Sequence, residues 1–147
     1  PRLMISRTMS KAFAFAGARV GYLAADPAVV DALRLVRLPY HLSAFTQAAA
    51  EAALDHAEAL LATVGDIRVQ RDRLVAELRT LGFDPYRSDS NFVLFGGVSD
   101  PERTFTELLA RGVLVRNVGI PNTLRVTAGT EAETSAFLEA LAELQAN

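Results

Sequence analysis

The sequence predicts an α/β protein in which residues 1–45 end one domain and residues 46–147 form a long connecting helix and a small α+β domain. Three observations lead to this prediction. Two short apolar runs that are typical of strands lie near the start of the chain. A helical pattern then continues almost unbroken from residue 44 to about residue 81. The elements after Gly82 are short and follow the order β-β-α-β-β-α, which predicts a sheet with helices on one face.

The first predicted elements are two strands and a helix. Residues 3–5 form a short apolar run of the kind found in buried strands, and residues 18–24 are a second predicted strand. Asp26 followed by Pro27 is a helix-start signal, because an acid caps the first turn and proline suits the first helical position. The helix is expected to stop before Pro39.

The connecting helix has recognisable ends. Ser43 is the expected N-cap of the stretch 44–81. Gly65 is the one expected kink or break within it. Gly82 is expected to close the helix in the left-handed conformation that glycine adopts at low cost.

The small domain is marked by local start and stop signals. Asp100 and Pro101 repeat the helix-start signal, and Gly112 closes that helix. Thr130 and Glu133 have the spacing of a capping box for the last helix. The predicted strands are 83–86, 91–95, 113–116 and 123–127.

Composition narrows the possible functions. The chain has 147 residues, a net charge of −2, 50% hydrophobic residues and 22% charged residues. This length can bury a substantial core, and the near-neutral charge offers no field for nucleic acid or an anionic membrane. The absence of cysteine excludes disulfides and thiolate metal sites, and it is consistent with a cytoplasmic protein. Of 15 basic residues 14 are arginine, so chemistry that needs a side-chain amine falls to Lys11.

The surroundings of Lys11 favour a reactive amine. Lys11 follows a predicted strand, lies close to the hydroxyls of Thr8 and Ser10, and precedes an apolar segment. A lysine held beside apolar groups and another cation loses affinity for its proton and can form an imine with a carbonyl cofactor. Arg19, eight residues later, adds a bidentate cation, so the hydroxyls and this arginine suit a phosphate monoester.

The segment from Thr8 to Tyr22 resembles the lysine region of the fold-type I pyridoxal-phosphate aminotransferases. The resemblance implies that Lys11 holds pyridoxal 5′-phosphate and acts as general base and acid. It also implies that Thr8, Ser10 and Arg19 anchor the cofactor phosphate, and that residues 1–45 are the end of the family's large cofactor-binding domain.

The rest of the chain is most similar to the histidinol-phosphate aminotransferase subfamily. That resemblance implies a cytoplasmic homodimer of histidine biosynthesis that acts on histidinol phosphate and on glutamate or 2-oxoglutarate. It assigns Arg125 to the anionic group of the substrate and Arg116 to a second position near it. For Arg116, a strand-end arginine paired with a surface acid is an equal alternative. The segments that carry the resemblance are 38–43, 88–92, 112–116 and 124–130.

The resemblance places the family's other cofactor contacts upstream of Pro1. The chain also begins without Met and enters a strand-like run directly, so we interpret it as a piece of a longer protein. We expect the piece alone to be inactive and to bind cofactor weakly or not at all. Its first strands would lack their neighbours, so we expect residues 1–25 to be disordered, rearranged or covered by another copy.

The two histidines and Tyr40 give weaker indications of function. His41 and His56 are fifteen apart with no carboxylate pattern, so no metal site is predicted. Tyr40 and His41 either line a cleft or pack a loop. Two further functions stay open: an aromatic-amino-acid aminotransferase, and a non-catalytic α+β binding or dimerisation module.

Overall fold

The computed structural model describes residues 3–146, and these fall into two compact units. The first unit extends to Val64, and the second begins at Gly65. Within the described residues, no helix combines the length and hydrophobicity that a membrane crossing requires. The assignment of residues 1–45 to a larger domain remains a prediction.

A hairpin forms the start of the first unit. Strand β1 (Ile5–Thr8) pairs antiparallel with strand β2 (Gly21–Ala24), and Ala16–Ala18 between them form a short 3-10 helix. Strand β1 begins later than the apolar run 3–5 predicted, because β2 ends opposite Ile5 and leaves residues 3 and 4 without a partner strand.

Helix α1 (Pro27–Val36) begins as the sequence predicts. Asp26 Oδ1 accepts a hydrogen bond from Ala28 N–H at 3.0 Å, and the proline occupies the first helical turn. The helix ends before Pro39, in agreement with the prediction.

The first unit buries little apolar surface. All residues of β1 and β2 are exposed, and Met9 is the only buried side chain of this unit among the described residues. The two strands pair with each other and expose their side chains, and the expectation that residues 1–25 are disordered, rearranged or covered by another copy stays a prediction. Large apolar side chains that are at least 75% exposed are Leu35, Val36, Leu38, Tyr40 and Phe45.

The long helical stretch is two helices, α2 (Ala44–Asp55) and α3 (Ala57–Thr80). The prediction of a break at Gly65 is wrong, since α3 continues through that residue and the interruption falls at His56. Glycine costs about 1 kcal/mol in a helix interior, which the other residues of a long helix readily offset. At His56 the backbone leaves the helical conformation, with φ −105° and ψ 21°, and its N–H is shared between the carbonyl groups of Ala52 and Leu54.

Both ends of this stretch form as predicted. Ser43 Oγ accepts the Thr46 N–H at 3.0 Å at the start of α2. After α3 the chain turns through Gly82, whose φ of +85° lies in the left-handed region.

The second unit contains an antiparallel sheet of three strands. These are β3 (Asp84–Pro85), β4 (Phe92–Gly96) and β5 (Leu124–Thr127), with β4 in the centre. The predicted strand 113–116 is wrong except for one bridge, in which residue 116 pairs with β5. Its first residue is already used to close the preceding helix, because Val113 N–H bonds to the carbonyl of Leu108 at 2.9 Å.

Helices α4 (Pro101–Ala110) and α5 (Glu131–Ala146) complete the second unit. Asp100 caps α4 through the Arg103 N–H at 3.0 Å, as its sequence signal predicts. Helices α3, α4 and α5 all contribute side chains to one core with the sheet. Its most deeply buried members are Leu74, Leu78, Val93, Phe95, Leu108, Leu124 and Leu141.

The predicted capping box of α5 is present, and we expect it to make the stability of this helix depend on pH. The Glu133 carboxylate accepts the Thr130 N–H at 2.7 Å and the Thr130 hydroxyl at 2.9 Å. These hydrogen bonds to Thr130 hold the pKa of Glu133 below its ordinary value of 4.5. A carboxylate with a lowered folded-state pKa stabilises the protein above its unfolded pKa and loses that effect as pH falls through the folded one.

We therefore expect Glu133→Gln to lower the melting temperature at pH 7, and to lower it less at pH 3. Thermal denaturation at the two pH values measures this difference. Glu131→Gln removes a carboxylate from the same turn and serves as the matched control. An equal loss at both pH values for Glu133→Gln would contradict the assignment.

Candidate functional site

The loop that carries Lys11 is fixed at both ends. It joins β1 to β2, and it is closed by hydrogen bonds from Met9 N–H to the carbonyl of Val20 and from Phe15 N–H to the carbonyl of Met9, both 3.2 Å. The Met9 side chain is 4% exposed and anchors the loop. Lys11 itself is exposed and lies in a turn, where its carbonyl accepts the Ala14 N–H at 2.9 Å. The amine is thus displayed on an anchored loop.

Thr8 and Ser10 place two hydroxyl groups next to each other. The Thr8 hydroxyl donates to Ser10 Oγ at 2.7 Å, and the Ser10 N–H donates to Thr8 Oγ1 at 3.1 Å. The Ser10 hydroxyl proton has no protein acceptor within the described part of the chain. This leaves a donor available for an anion at the end of β1.

Arg19 lies at the same end of the hairpin. Thr8 pairs with Gly21, and the next hydrogen bond, from Met9 N–H to the carbonyl of Val20, brings the chain to within one residue of Arg19. One Arg19 Nη1–H donates to the carbonyl of Ala16 at 3.1 Å. Gly21 permits this close pairing, because a side-chain Cβ there would collide with the carbonyl oxygen of Arg7.

The loop holds two residues in the left-handed region, Ala14 at φ 51° and Arg19 at φ 54°. For residues other than glycine this conformation costs about 1–2 kcal/mol each. Such strain concentrates at functional sites, where the surrounding structure holds it in place. Sequence reasoning missed it, since neither alanine nor arginine signals a positive φ.

Arg116 and Arg125 form the second group of predicted site residues, in the second unit. Their backbones pair through two N–H···O bonds of 2.9 Å. Residues directly opposite each other in an antiparallel pair project from the same face. Both arginines line a depression of about 440 Å³ whose other lining residues are Phe105, Leu114, Val115, Asn117 and Thr127. Within residues 3–146, no acid forms an ion pair with Arg116.

Arg125 has an unusual environment. Its Nε atom is buried and has no hydrogen-bond partner among the described residues. Its Cζ lies 4.6 Å from the centroid of the Phe92 ring. Sequence reasoning did not select Phe92, although alternation along β4 places it on the face that Arg125 shares.

The predicted site residues therefore form two groups, one in each unit. Tyr40 is fully exposed, with φ at 56°. His41 lines a depression of about 500 Å³ in the first unit together with apolar side chains such as Leu23 and Leu33. No group of three or more His, Asp or Glu side chains in residues 3–146 is arranged to hold a metal ion.

Comparison with known proteins finds matches along nearly the whole chain. The family profile of aminotransferase class I and II matches residues 1–141. Among curated relatives, histidinol-phosphate aminotransferase of Paenarthrobacter aurescens is 67% identical over 97% of this chain, and that of Streptomyces avermitilis is 59% identical over 99%. The chain spans 38% and 39% of these two proteins. Among solved structures, the histidinol-phosphate aminotransferase of Sinorhizobium meliloti in complex with pyridoxal-5′-phosphate is similar, with a TM-score of 0.84 and 28% sequence identity. The match covers 98% of this chain and 41% of the S. meliloti chain.

Proposed function

The chain belongs to the aminotransferase class I and II family, and on this basis we propose that it is the C-terminal part of a longer histidinol-phosphate aminotransferase. The full-length protein would exchange an amino group between histidinol phosphate and 2-oxoglutarate, in histidine biosynthesis. The observation that carries the proposal is the pair of hydrogen-bonded hydroxyls of Thr8 and Ser10 at the end of β1, on the connection to β2 that also carries Lys11 and Arg19. The names of the two curated relatives support the choice of substrate.

The donors in this part of the chain fit pyridoxal 5′-phosphate. Two hydroxyls and a guanidinium suit a phosphate dianion, and the one lysine suits an aldehyde. Thr8, Ser10 and Arg19 would hold the phosphate, and Lys11 would attach the cofactor. The bound cofactor supplies an electron sink for negative charge at the reacting carbon.

Lys11 has a second task in this proposal. Once the substrate amine has displaced it, the Lys11 amine would be free to move a proton between the substrate α-carbon and the C4′ carbon of the cofactor. The anchored loop holds the amine within a small region while it does so. The exposure of Lys11 in this chain leaves the nitrogen open to groups contributed by the rest of the protein.

Arg125 and Arg116 would bind the anionic group of each substrate. Histidinol phosphate has a phosphate and no carboxylate, whereas glutamate presents an α-carboxylate. A guanidinium forms bidentate hydrogen bonds with either group, so one arginine serves both half-reactions. Arg116, directly opposite Arg125, adds a second positive charge and so favours the phosphate dianion of histidinol phosphate.

The proposal also includes a homodimer in the cytoplasm, as the family resemblance implies. This chain spans about two fifths of its curated relatives, 38% in the P. aurescens protein, so the remaining contacts to cofactor would come from other parts of the protein. The 147-residue chain alone is therefore proposed to lack transaminase activity.

A covalent label tests the assignment of Lys11. The full-length protein is incubated with pyridoxal 5′-phosphate and reduced with sodium borohydride, which makes attachment of a carbonyl to an amine permanent. We expect the label on the peptide that contains Lys11, and no label after Lys11→Arg. Label confined to any other lysine would refute the assignment. Steady-state kinetics with histidinol phosphate and with phenylalanine then distinguish the proposed substrate from an aromatic amino acid.

A further inference from the structure

The arginine pair of the second unit needs an explanation beyond its backbone pairing. Arg116 and Arg125 are directly opposite each other, and like charges in that position destabilise a sheet. The buried Nε of Arg125 adds the cost of an unsatisfied donor. No carboxylate of the described residues forms an ion pair with either arginine. Something other than a counter-ion must hold the Arg125 guanidinium in place.

The ring of Phe92 is the group in position to do so. Its centroid is 4.6 Å from Arg125 Cζ, within the range over which an aromatic face attracts a guanidinium. Phe92 pairs with Thr127 in the β4–β5 register, so Arg125 lies diagonally across the same face. The face of the ring attracts the positive charge of the guanidinium, but it does not accept hydrogen bonds from the N–H groups that lie in the guanidinium plane. The in-plane donors stay available to a ligand.

The backbone of Phe92 is fixed by the segment that precedes it. The Ser88 hydroxyl donates to the carbonyl of Phe92 at 2.5 Å, and the Ser90 N–H donates to Ser88 Oγ at 3.1 Å. On the other side, the Ala128 N–H bonds to the carbonyl of Asn91 at 2.9 Å. The start of β4 is thus held on two sides, and the ring has a defined place to present to Arg125.

We infer that Phe92 is a positioning residue for an anion site at Arg125, with Ser88 fixing its backbone. The inference rests on the proposed function, which makes Arg125 a ligand of the substrate anion. The ring holds the guanidinium over the depression that both arginines line, against the repulsion of Arg116. An anion then meets an arginine that is already oriented, so less of its binding free energy is spent on ordering the side chain. The ligand class is a phosphate monoester or a carboxylate.

Titration of the 147-residue chain with inorganic phosphate, followed by NMR of the arginine Nε–H signals, tests the inference without enzymatic activity. Phe92→Leu keeps an apolar side chain and removes the ring, and we expect phosphate binding to weaken about 3- to 10-fold. Phe92→Tyr keeps the ring and should bind phosphate within about twofold of the unsubstituted chain. Unchanged affinity in Phe92→Leu, with weakened binding in Arg125→Gln, would overturn the inference alone. Unchanged affinity in Arg125→Gln, or no shift of the Arg125 signal with phosphate, would overturn the proposed anion site itself.

A measurement on the unsubstituted chain covers the case in which Phe92→Leu does not fold. Protons above the face of an aromatic ring are shifted upfield, so the Arg125 δ-methylene signals should lie upfield of those of an exposed arginine such as Arg87. The exposed side chain of Arg87 is 89% accessible and provides the reference. Equal chemical shifts for the two arginines would refute the contact.

Discussion

Lys11→Ala in the full-length protein is expected to abolish transamination. Proton transfer by a positioned general acid or base contributes about 10²–10⁴ to a rate, and the substitution also removes the proposed point of covalent attachment. The chain contains no other lysine, so no neighbouring side chain within it can replace the amine. Steady-state rates with histidinol phosphate and 2-oxoglutarate measure the loss.

Arg68→Ala is the matched control for that experiment. Arg68 is an exposed cation on α3 with no place in the proposed site, so its loss should leave the rate within about twofold, as for most surface substitutions. A Lys11→Ala enzyme with the control's activity would instead favour a non-catalytic binding or dimerisation module. It would also remove the basis for assigning Thr8, Ser10 and Arg19 to a cofactor phosphate.

Leu108→Ala is expected to destabilise the second unit by about 2–5 kcal/mol. Leu108 on α4 is fully buried, and its truncation leaves a cavity in a core that also contains Leu74 and Phe95. Such a loss is a large fraction of the roughly 5–15 kcal/mol that stabilises a typical domain. Urea denaturation followed by circular dichroism measures the change in the free energy of unfolding.

The adjacent residue provides a control of the same type. Leu109 is 49% exposed on the same helix, so Leu109→Ala removes the same atoms with much less loss of packing. We expect it to cost under about 1 kcal/mol. Equal destabilisation by the two substitutions would mean that α4 does not pack through the face that Leu108 occupies.

Local signals in the sequence predicted where four of the helices, α1, α2, α4 and α5, begin. Asp26, Ser43 and Asp100 each accept a backbone N–H in the first turn of a helix, as their residue types indicate. Thr130 with Glu133 forms the reciprocal pair that their spacing requires. These features depend on atoms only a few residues apart, so the sequence contains the whole interaction.

Features that depend on distant neighbours could not be predicted in this way. Residues 113–116 have a strand-like composition, but only residue 116 pairs with a strand. The N–H of Val113 is bonded to the carbonyl of Leu108 at the end of α4. The helical stretch is interrupted at His56 and continues through Gly65, so the position of the glycine did not identify the interruption. The contact of Phe92 with Arg125 joins two strands whose residues are far apart in sequence, so neither residue type indicates it.

Met9 is the only buried apolar residue before Leu74 among the described residues. The Lys11 hairpin precedes the second unit along the chain, and an isolated two-stranded hairpin is at best marginally stable in water. The second unit has a hydrophobic core of its own, and this core contains no side chain of the hairpin. The amine that we propose as reactive therefore lies on the segment with the least buried apolar surface, while the arginine pair lies on a unit with a core of its own.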